Sequence, residues 1–260
     1  MVIKALVIKT EDSGENGSRI TLLTEDNGTL VAKATGGKKV TSSYFRSLQL
    51  LTYSEFYLTE SHGFYIITDA KLIYSFFDLS TRVEDFALAS YFTELCKTAF
   101  TGEQGENEAF RLCLVALISL LKETFPPRHI KAVFELRFLS IIGFEPLYGS
   151  CFACGKELID VSCGGETEDG AAFFNTEEVG AVCKRCSSLL PSKKALLPAS
   201  KALLKAIAYS ATAPVDKVFS FKTDSETEKL LAQIAETVVL EHIEIRPKSL
   251  KVYKDLTVIQ

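Results

Sequence analysis

The chain has 260 residues, of which 47% are apolar and 24% are charged, and its formal net charge is −4. This composition is typical of a soluble globular protein, and the length allows one large domain or two to three small ones, each with a hydrophobic core. The mildly acidic total excludes a simple histone-like coat for nucleic acid, but it does not exclude a local basic surface, because binding follows the local field.

The first eighty residues alternate apolar and polar side chains, which predicts β-strands. The strand-like runs lie at 3–10, 19–24, 29–34, 48–60 and 64–70. Turn signals separate these runs, among them Asn27-Gly28, which suits a hairpin. Five short strands in a meander predict a small barrel or a sandwich.

After residue 82 the apolar residues recur at intervals of three and four, which predicts helices. The predicted helices cover 83–100, 103–122, 128–143, 198–209 and 225–242. The tail from Arg246 is basic and only weakly patterned. A cysteine-rich insert separates the third and fourth helices, so we expect a small module embedded in a helical domain.

The longest apolar run, LCLVALISLL (112–121), is too short to cross a membrane and predicts a buried helix instead. The N-terminal segment alternates rather than running apolar, so it does not resemble a targeting segment. We therefore expect a cytoplasmic protein. In that compartment clustered cysteines are more often metal ligands than disulfides.

Five of the seven cysteines fall within residues 151–186. Cys151-x-x-Cys154 and Cys183-x-x-Cys186 have the spacing of two metal-binding knuckles, whereas unrelated free thiols are the alternative. Four thiolates complete a tetrahedron and leave no position for water, so we predict one structural Zn²⁺ and no catalytic metal. The segment AAFF (171–174) is expected to form a small strand pair beneath the ion.

The other three cysteines are not predicted to bind metal. Cys163 is interpreted as an unliganded thiol in a loop. Cys96 and Cys113 lie on apolar helix faces, so we expect them to be small core residues.

No acidic residue occurs from Asn27 to Ser54. This stretch contains four cations and an aromatic pair: Lys33, Lys38, Lys39, Arg46, Tyr44 and Phe45. Cations attract phosphates and aromatic rings stack on unpaired bases, so the stretch fits an oligonucleotide groove on a small barrel. A solvated loop with ordinary lysines and a buried aromatic pair fits the same residues.

Motifs of bond-making chemistry are missing. The GGKK at 36–39 lacks the spacing and the Ser or Thr of a phosphate-binding P-loop, and HExxH, GxSxG and GxGxxG do not occur. The three histidines lie far apart in the sequence. Asp85 and Glu135 sit on predicted helices without a recognisable partner. We therefore predict that the protein is not an enzyme.

Four segments match one known family in the same order along the chain. They are ALVIKT…ITLLTEDNGTLVAKATGGKK (5–39), FELRFLSIIGFEPLYGSCFACG (134–155), GAVCKRC (180–186) and RPKSLK (246–251). In these segments the chain resembles the bacterial RecO family of recombination and DNA-repair mediators. The resemblance implies an α+β multi-domain fold, with an N-terminal OB-fold β-barrel and a C-terminal α-helical domain that contains an inserted zinc-ribbon-like module.

On this resemblance we expect four parts. They are an OB-fold domain at 1–80, a helical domain at 81–148 and 190–245, a zinc module at 149–189 and a basic tail at 246–260. The zinc ligands would be the four knuckle cysteines.

The resemblance also implies a function. Family members bind single- and double-stranded DNA without hydrolysis and anneal complementary strands. With RecR, they load recombinase onto strands coated by single-stranded DNA-binding protein (SSB). Lys33, Lys38 and Lys39 match the family's basic DNA-binding loop, and we expect Arg46 to join them.

Two further expectations follow from the same resemblance. The C-terminal tail of SSB would dock on the helical domain, for which Arg137 and Lys229 are the candidate cations, and the protein would be associated with the nucleoid. The competing hypothesis is a protein–protein adapter with no direct DNA contact. A zinc-stabilised enzyme with an unrecognised site is a third.

Overall fold

The computed structural model describes residues 1–13, 17–26, 28–35, 44–99, 107–159, 172–243 and 246–257. The chain divides into two compact units, residues 1–123 with 247–260 and residues 124–246.

Five strands close into a barrel near the N-terminus. They are β1 (Val2–Ser13), β2 (Gly17–Thr24), β3 (Thr29–Thr35), β4 (Thr52–Ser61) and β5 (Phe64–Ser75). The order around the barrel is β1-β2-β3-β5-β4, which is OB-like, and only the β3–β5 pair is parallel. The predicted barrel is therefore confirmed. Alternate residues such as Ile3, Ala5 and Phe56 point into its apolar core.

The predicted meander is wrong in one respect, because β3 pairs with β5 and not with β4. β4 instead pairs with β1, with Ile3 opposite Phe56, and this pairing removes both open edges of the sheet. β4 also begins later than predicted, because residues 45–48 form a short 3₁₀ helix. Leu51 then takes a positive φ of 58°, so the strand starts only at Thr52.

A short 3₁₀ helix (Phe77–Thr81), seven α-helices and three short strands follow in the described part of the chain. The helices are α1 (Val83–Ala99), α2 (Asn107–Leu121), α3 (Pro127–Ile141), α4 (Lys184–Ser187), α5 (Lys201–Thr212), α6 (Ser225–His242) and α7 (Lys248–Thr257). The strands are β6 (Ala172–Asn175), β7 (Gly180–Cys183) and β8 (Leu196–Ala199). Among the described residues, no helix combines the length and the apolar character that a membrane crossing requires.

The first unit contains α1, α2 and α7 as well as the barrel. This grouping differs from the expected one, which placed residues 81–123 with the later helices and left the tail as a separate part. The tail forms α7 because Leu250 and Tyr253 are buried, and α7 packs against α1. The carboxylate of Glu94 on α1 accepts hydrogen bonds from the Lys248 and Ser249 backbone N–H groups at 3.2 Å each.

In the second unit, α3 packs against α5 and α6. α5 begins at Lys201 and not at Pro198, because the Ser200 side chain caps it by accepting a hydrogen bond from the Leu203 N–H at 3.1 Å. Pro198 lies in β8, which is an edge strand of the described sheet and pairs with β6. A proline is tolerated on such an edge strand.

The acidic residues that lacked recognisable partners in the sequence have structural ones. Glu135 is fully buried and forms an ion pair with Lys131 one turn earlier on α3, at 2.8 Å. Lys131 also binds Glu236 of α6 at 2.9 Å. Asp85 lies 2.9 Å from the Arg82 guanidinium. The Lys131–Glu236 contact joins α3 to α6, and Asp85 and Glu135 each have a cationic partner.

Candidate metal centre and nucleic-acid groove

The four knuckle cysteines come together in one cluster. The Sγ atoms of Cys151, Cys154, Cys183 and Cys186 all lie within 4.8 Å of one another, and those of Cys154 and Cys183 are 3.9 Å apart. A tetrahedral zinc ion with Zn–S bonds of about 2.3 Å separates its sulfur ligands by about 3.8 Å. The four thiols therefore fit a single metal ion.

Backbone turns position each pair of sulfurs. In the first knuckle the Gly155 N–H donates to the Cys151 carbonyl at 2.8 Å, and Gly155 has a φ of 71°, which favours glycine. In the second knuckle Cys183 ends β7 and Cys186 lies in the short helix α4 that follows. The spacing of two residues thus lets both thiols of each knuckle face the same point.

Main-chain contacts join the two knuckles. The Phe152 N–H donates to the Ala181 carbonyl at 3.0 Å, which links the first knuckle to β7. Gly180 leaves room for this contact, since a Cβ there would lie 3.2 Å from the Phe152 ring. The cluster can therefore form only with both knuckles folded.

The predicted strand pair beneath the cluster is confirmed as β6 and β7, although residue 171 lies outside the described residues. β8 adds a third strand, whose last two residues, Pro198 and Ala199, were predicted to begin a helix. The sheet under the cluster therefore runs to Ala199, beyond the expected end of the module at residue 189.

Two thiols of the cluster have pKa values shifted in opposite directions. Burial raises the pKa of the Cys151 thiol, but hydrogen bonds from the backbone of Cys183, Ala153 and Cys154 outweigh it and lower the pKa to about 7. Hydrogen bonds with the Cys154 and Cys183 thiols raise the pKa of Cys186 to about 12. Because metal ligands bind as thiolates, an ion bound by all four sulfurs would release protons from the cluster.

The remaining cysteines lie elsewhere. Cys96 and Cys113 are fully buried, so the prediction of core residues is confirmed. Burial and the neighbouring Cys113 raise the pKa of Cys96 well above its usual value, which makes the thiol a poor nucleophile. Cys163 lies outside the described residues.

A groove of about 710 Å³ opens on the barrel. It lies along β2 and β3 and reaches the turn between β4 and β5, the face that OB-folds use for oligonucleotides. Its lining includes two cations and two aromatic residues: Arg19, Lys33, Phe64 and Tyr65.

The groove presents charge and an aromatic face side by side. The Lys33 Nζ atom lies 4.1 Å from the centroid of the Phe64 ring, and 56% of Phe64 is exposed. Arg19 and Lys33 are also exposed and lie directly opposite each other on β2 and β3. Like charges in such a pair are destabilising. An anion bound between them would relieve this repulsion, and phosphate is such an anion.

The predicted DNA-binding residues have different outcomes. Lys33 lines the groove. Arg46 is exposed on the 3₁₀ helix and does not line it, whereas Lys38 and Lys39 lie outside the described residues. Tyr44 packs against the barrel core, as the alternative reading of the basic stretch expected.

Three groove residues were missed in the sequence analysis. Arg19 could have been found, because the predicted hairpin of the runs 19–24 and 29–34 places the start of the first run beside the end of the second, and the observed register pairs Arg19 with Lys33. Phe64 and Tyr65 could not have been found from the sequence, because their position beside β3 depends on the parallel β3–β5 pairing.

The two candidate cations on the helical domain are in different surroundings. Arg137 on α3 is half-buried, and its Nη1 atom donates to the Ala211 carbonyl near the end of α5. This contact makes Arg137 less available to a peptide carboxylate. Lys229 is exposed on α6.

Two family models match the chain in order. Recombination protein O N terminal matches residues 1–76, and Recombination protein O C terminal matches residues 81–251. The DNA repair protein RecO of Acetivibrio thermocellus is 27% identical over 92% of this chain and 90% of that protein. The proteins of the same name from Clostridium kluyveri (23% identity over 97% and 93%) and Caldicellulosiruptor saccharolyticus (29% over 70% and 70%) are also similar.

Proposed function

Because the chain belongs to the recombination protein O family, and so has a role in DNA repair and recombination, we propose that its barrel groove binds single-stranded DNA. The observation that supports this proposal is the Lys33 ammonium group over the exposed Phe64 ring, with Arg19 opposite. Cations of this kind bind phosphates, and an exposed ring offers a stacking surface to an unpaired base.

Binding of this kind is tolerant of sequence. Phosphate contacts carry no base information, and every base has a face that can stack. The protein therefore holds a strand of any sequence and orients it without cleaving it. In this proposal it is a mediator and not an enzyme, and Lys38, Lys39 and Arg46 are further DNA contacts.

The family membership supports a further set of proposed activities. The protein acts on SSB-coated strands, works with RecR to load recombinase and anneals complementary strands, which gives it contact with double-stranded DNA as well. Lys229, and less favourably Arg137, contribute to docking of the SSB tail. The site of action is the nucleoid, in the cytoplasm.

The proposed ion of the cysteine cluster is Zn²⁺, with a structural role. Four thiolates are the ligand set of structural zinc sites, and no ligand position is left for substrate or water. Cys151, Cys154, Cys183 and Cys186 would hold the ion, which would fix the two knuckles on the β6–β8 sheet.

Reversal of the two groove cations tests the proposed DNA site. We expect Arg19→Glu/Lys33→Glu to weaken binding of a labelled single strand by roughly tenfold or more at low salt, since two phosphate contacts are lost. The slope of log affinity against log salt should become shallower by about 1.4, at about 0.7 per phosphate. Phe64→Ala should cost about 1–3 kcal/mol with little change of slope. Fluorescence anisotropy over a salt series measures the affinities of both variants and the slope of each salt dependence.

Matched variants make this result specific. Lys217→Glu/Lys222→Glu reverses two exposed charges in the other unit and should bind like the wild type. Lys38→Glu/Lys39→Glu tests the predicted basic loop in the same series. A wild-type protein that binds no oligonucleotide at low salt would favour a protein–protein adapter, and binding that Arg19→Glu/Lys33→Glu retains would exclude the groove.

A further inference from the structure

Exposed cations continue from the groove toward the first helix. Arg19 faces Lys33 on one side and Glu11 of β1 on the other. The Glu11 carboxylate is already engaged, because Lys9 binds it at 2.7 Å. Arg19 therefore keeps a positive field at this end of the groove.

Lys97 extends this field. α1 packs against β2, and Lys97 lies exposed in the last turn of α1. The hydrogen bond from Lys9, together with the charges of Arg19 and Lys97, lowers the pKa of Glu11. Three cations thus act on one carboxylate.

The C-terminal helix is attached one turn away. Glu94 lies three residues before Lys97 on α1 and accepts hydrogen bonds from the Lys248 and Ser249 N–H groups and from the Ser249 hydroxyl. Together with the buried side chains of Leu250 and Tyr253, these contacts fix α7 beside the end of α1. The Glu94–Ser249 contact is called the latch below.

The free cations on α7 face outward. Lys248 and Lys251 are exposed and, within the described residues, neither forms an ion pair. Glu94 is occupied by the start of the helix, and the nearest acid on α7 itself is Asp255, one turn beyond Lys251. The route from the groove to α7 therefore presents Lys33, Arg19, Lys97, Lys248 and Lys251, while Glu11 and Glu94 beside it are engaged by other groups.

We propose that a single DNA strand bound in the barrel groove continues past the end of α1 onto α7, where Lys248 and Lys251 bind its phosphates and the latch holds the helix in place. This inference rests on the proposed function and adds the path of the strand beyond the barrel. It also gives a physical reason for the lysine–serine sequence of the tail, since Ser249 fixes the helix and the lysines flank it.

Oligonucleotides of two lengths distinguish binding in the groove from binding along α7. One barrel covers about 4–16 nucleotides, so an oligothymidine of about 8 nucleotides reports on the groove and one of about 25 nucleotides reports on both. We expect Lys248→Gln/Lys251→Gln to bind the short strand like the wild type and the long strand roughly tenfold more weakly at low salt. Lys217→Gln/Lys222→Gln, in the other unit, is the matched control and should bind both lengths normally.

A second variant tests the latch without removing a cation. Glu94→Ala should cause the same length-selective loss, and hydrogen exchange should show lower protection of the backbone at 248–257. Circular dichroism melts of both variants report whether the rest of the fold is intact.

The outcomes are distinguishable. If the two variants bind the long strand as tightly as the wild type, or lose affinity for both lengths equally, the extension onto α7 is wrong while the groove stands. If the wild type binds neither length, the proposed function fails and the extension fails with it.

Discussion

Cys154→Ser is expected to lose the metal and to unfold the module around the cysteine cluster. The cluster has a very small apolar core, in which Cys151, Cys183 and Val182 are the buried members. Structural zinc contributes about 10–16 kcal/mol of apparent binding free energy in small metal domains. This range reaches or exceeds the total stability of a typical domain, about 5–15 kcal/mol, so three remaining thiols should not keep the module folded.

Metal analysis and a thermal melt test this expectation. Mass spectrometry of the purified wild type should find about one zinc per chain, and the variant should hold little or none and melt at a lower temperature. Cys163→Ser is the matched control, because Cys163 is predicted not to bind the metal and its substitution should leave both values unchanged. If Cys154→Ser holds as much zinc per chain as the wild type and melts at the same temperature, the four-cysteine site is excluded.

The second large effect is expected at the buried ion pair of α3. Lys131→Met should destabilise the protein by about 3–5 kcal/mol, because it leaves the fully buried Glu135 without its cation. Burial opposes the charge of Lys131, but Glu135 and Glu236 outweigh it and raise the pKa of the lysine. Because the pKa of Lys131 is higher in the folded state, the lysine contributes its full stabilisation at any pH below its pKa in the unfolded state, about 10.4. This stabilisation is lost only as the pH rises through the pKa of the folded state. The effect should therefore be constant across neutral pH.

Urea unfolding of a double-mutant set identifies the cause. Lys131→Met/Glu135→Leu removes both charges, so it should recover much of the lost stability. Glu236→Gln should cost less than Lys131→Met, since the side chain of Glu236 is 23% exposed. If the double variant is as unstable as Lys131→Met alone, packing and not the unpaired carboxylate explains the loss.

The features predicted correctly from the sequence depend on neighbouring residues. The two CxxC knuckles are local turns, so their spacing predicted the cluster of four cysteines that the structure brings together. The helices at 83–99 and 225–242 have long amphipathic patterns, and their bounds agree with the prediction within one residue. The barrel strands likewise follow from alternation along each run.

The features that were missed depend on contacts between distant segments. α7 buries only Leu250 and Tyr253, too few residues for a helical period, and its start depends on Glu94, more than 150 residues earlier. β8 was not predicted, because its four residues have no strand pattern of their own and its partner β6 lies earlier in the chain, inside the cysteine insert. The groove forms where the β2–β3 register and the parallel β3–β5 pair bring distant residues together. Composition alone could therefore identify only the basic stretch from Asn27 to Ser54, which contributes Lys33.

The central claim is that the barrel groove holds single-stranded DNA, and photocross-linking tests it most directly. An oligonucleotide with photoreactive uracils would be irradiated on the full chain, and the attached peptides would be identified by mass spectrometry. We predict cross-links on the peptide that contains Phe64 and Tyr65, and we predict that Arg19→Glu/Lys33→Glu loses them. Cross-links confined to residues 124–246, or unchanged in that variant, would contradict the claim.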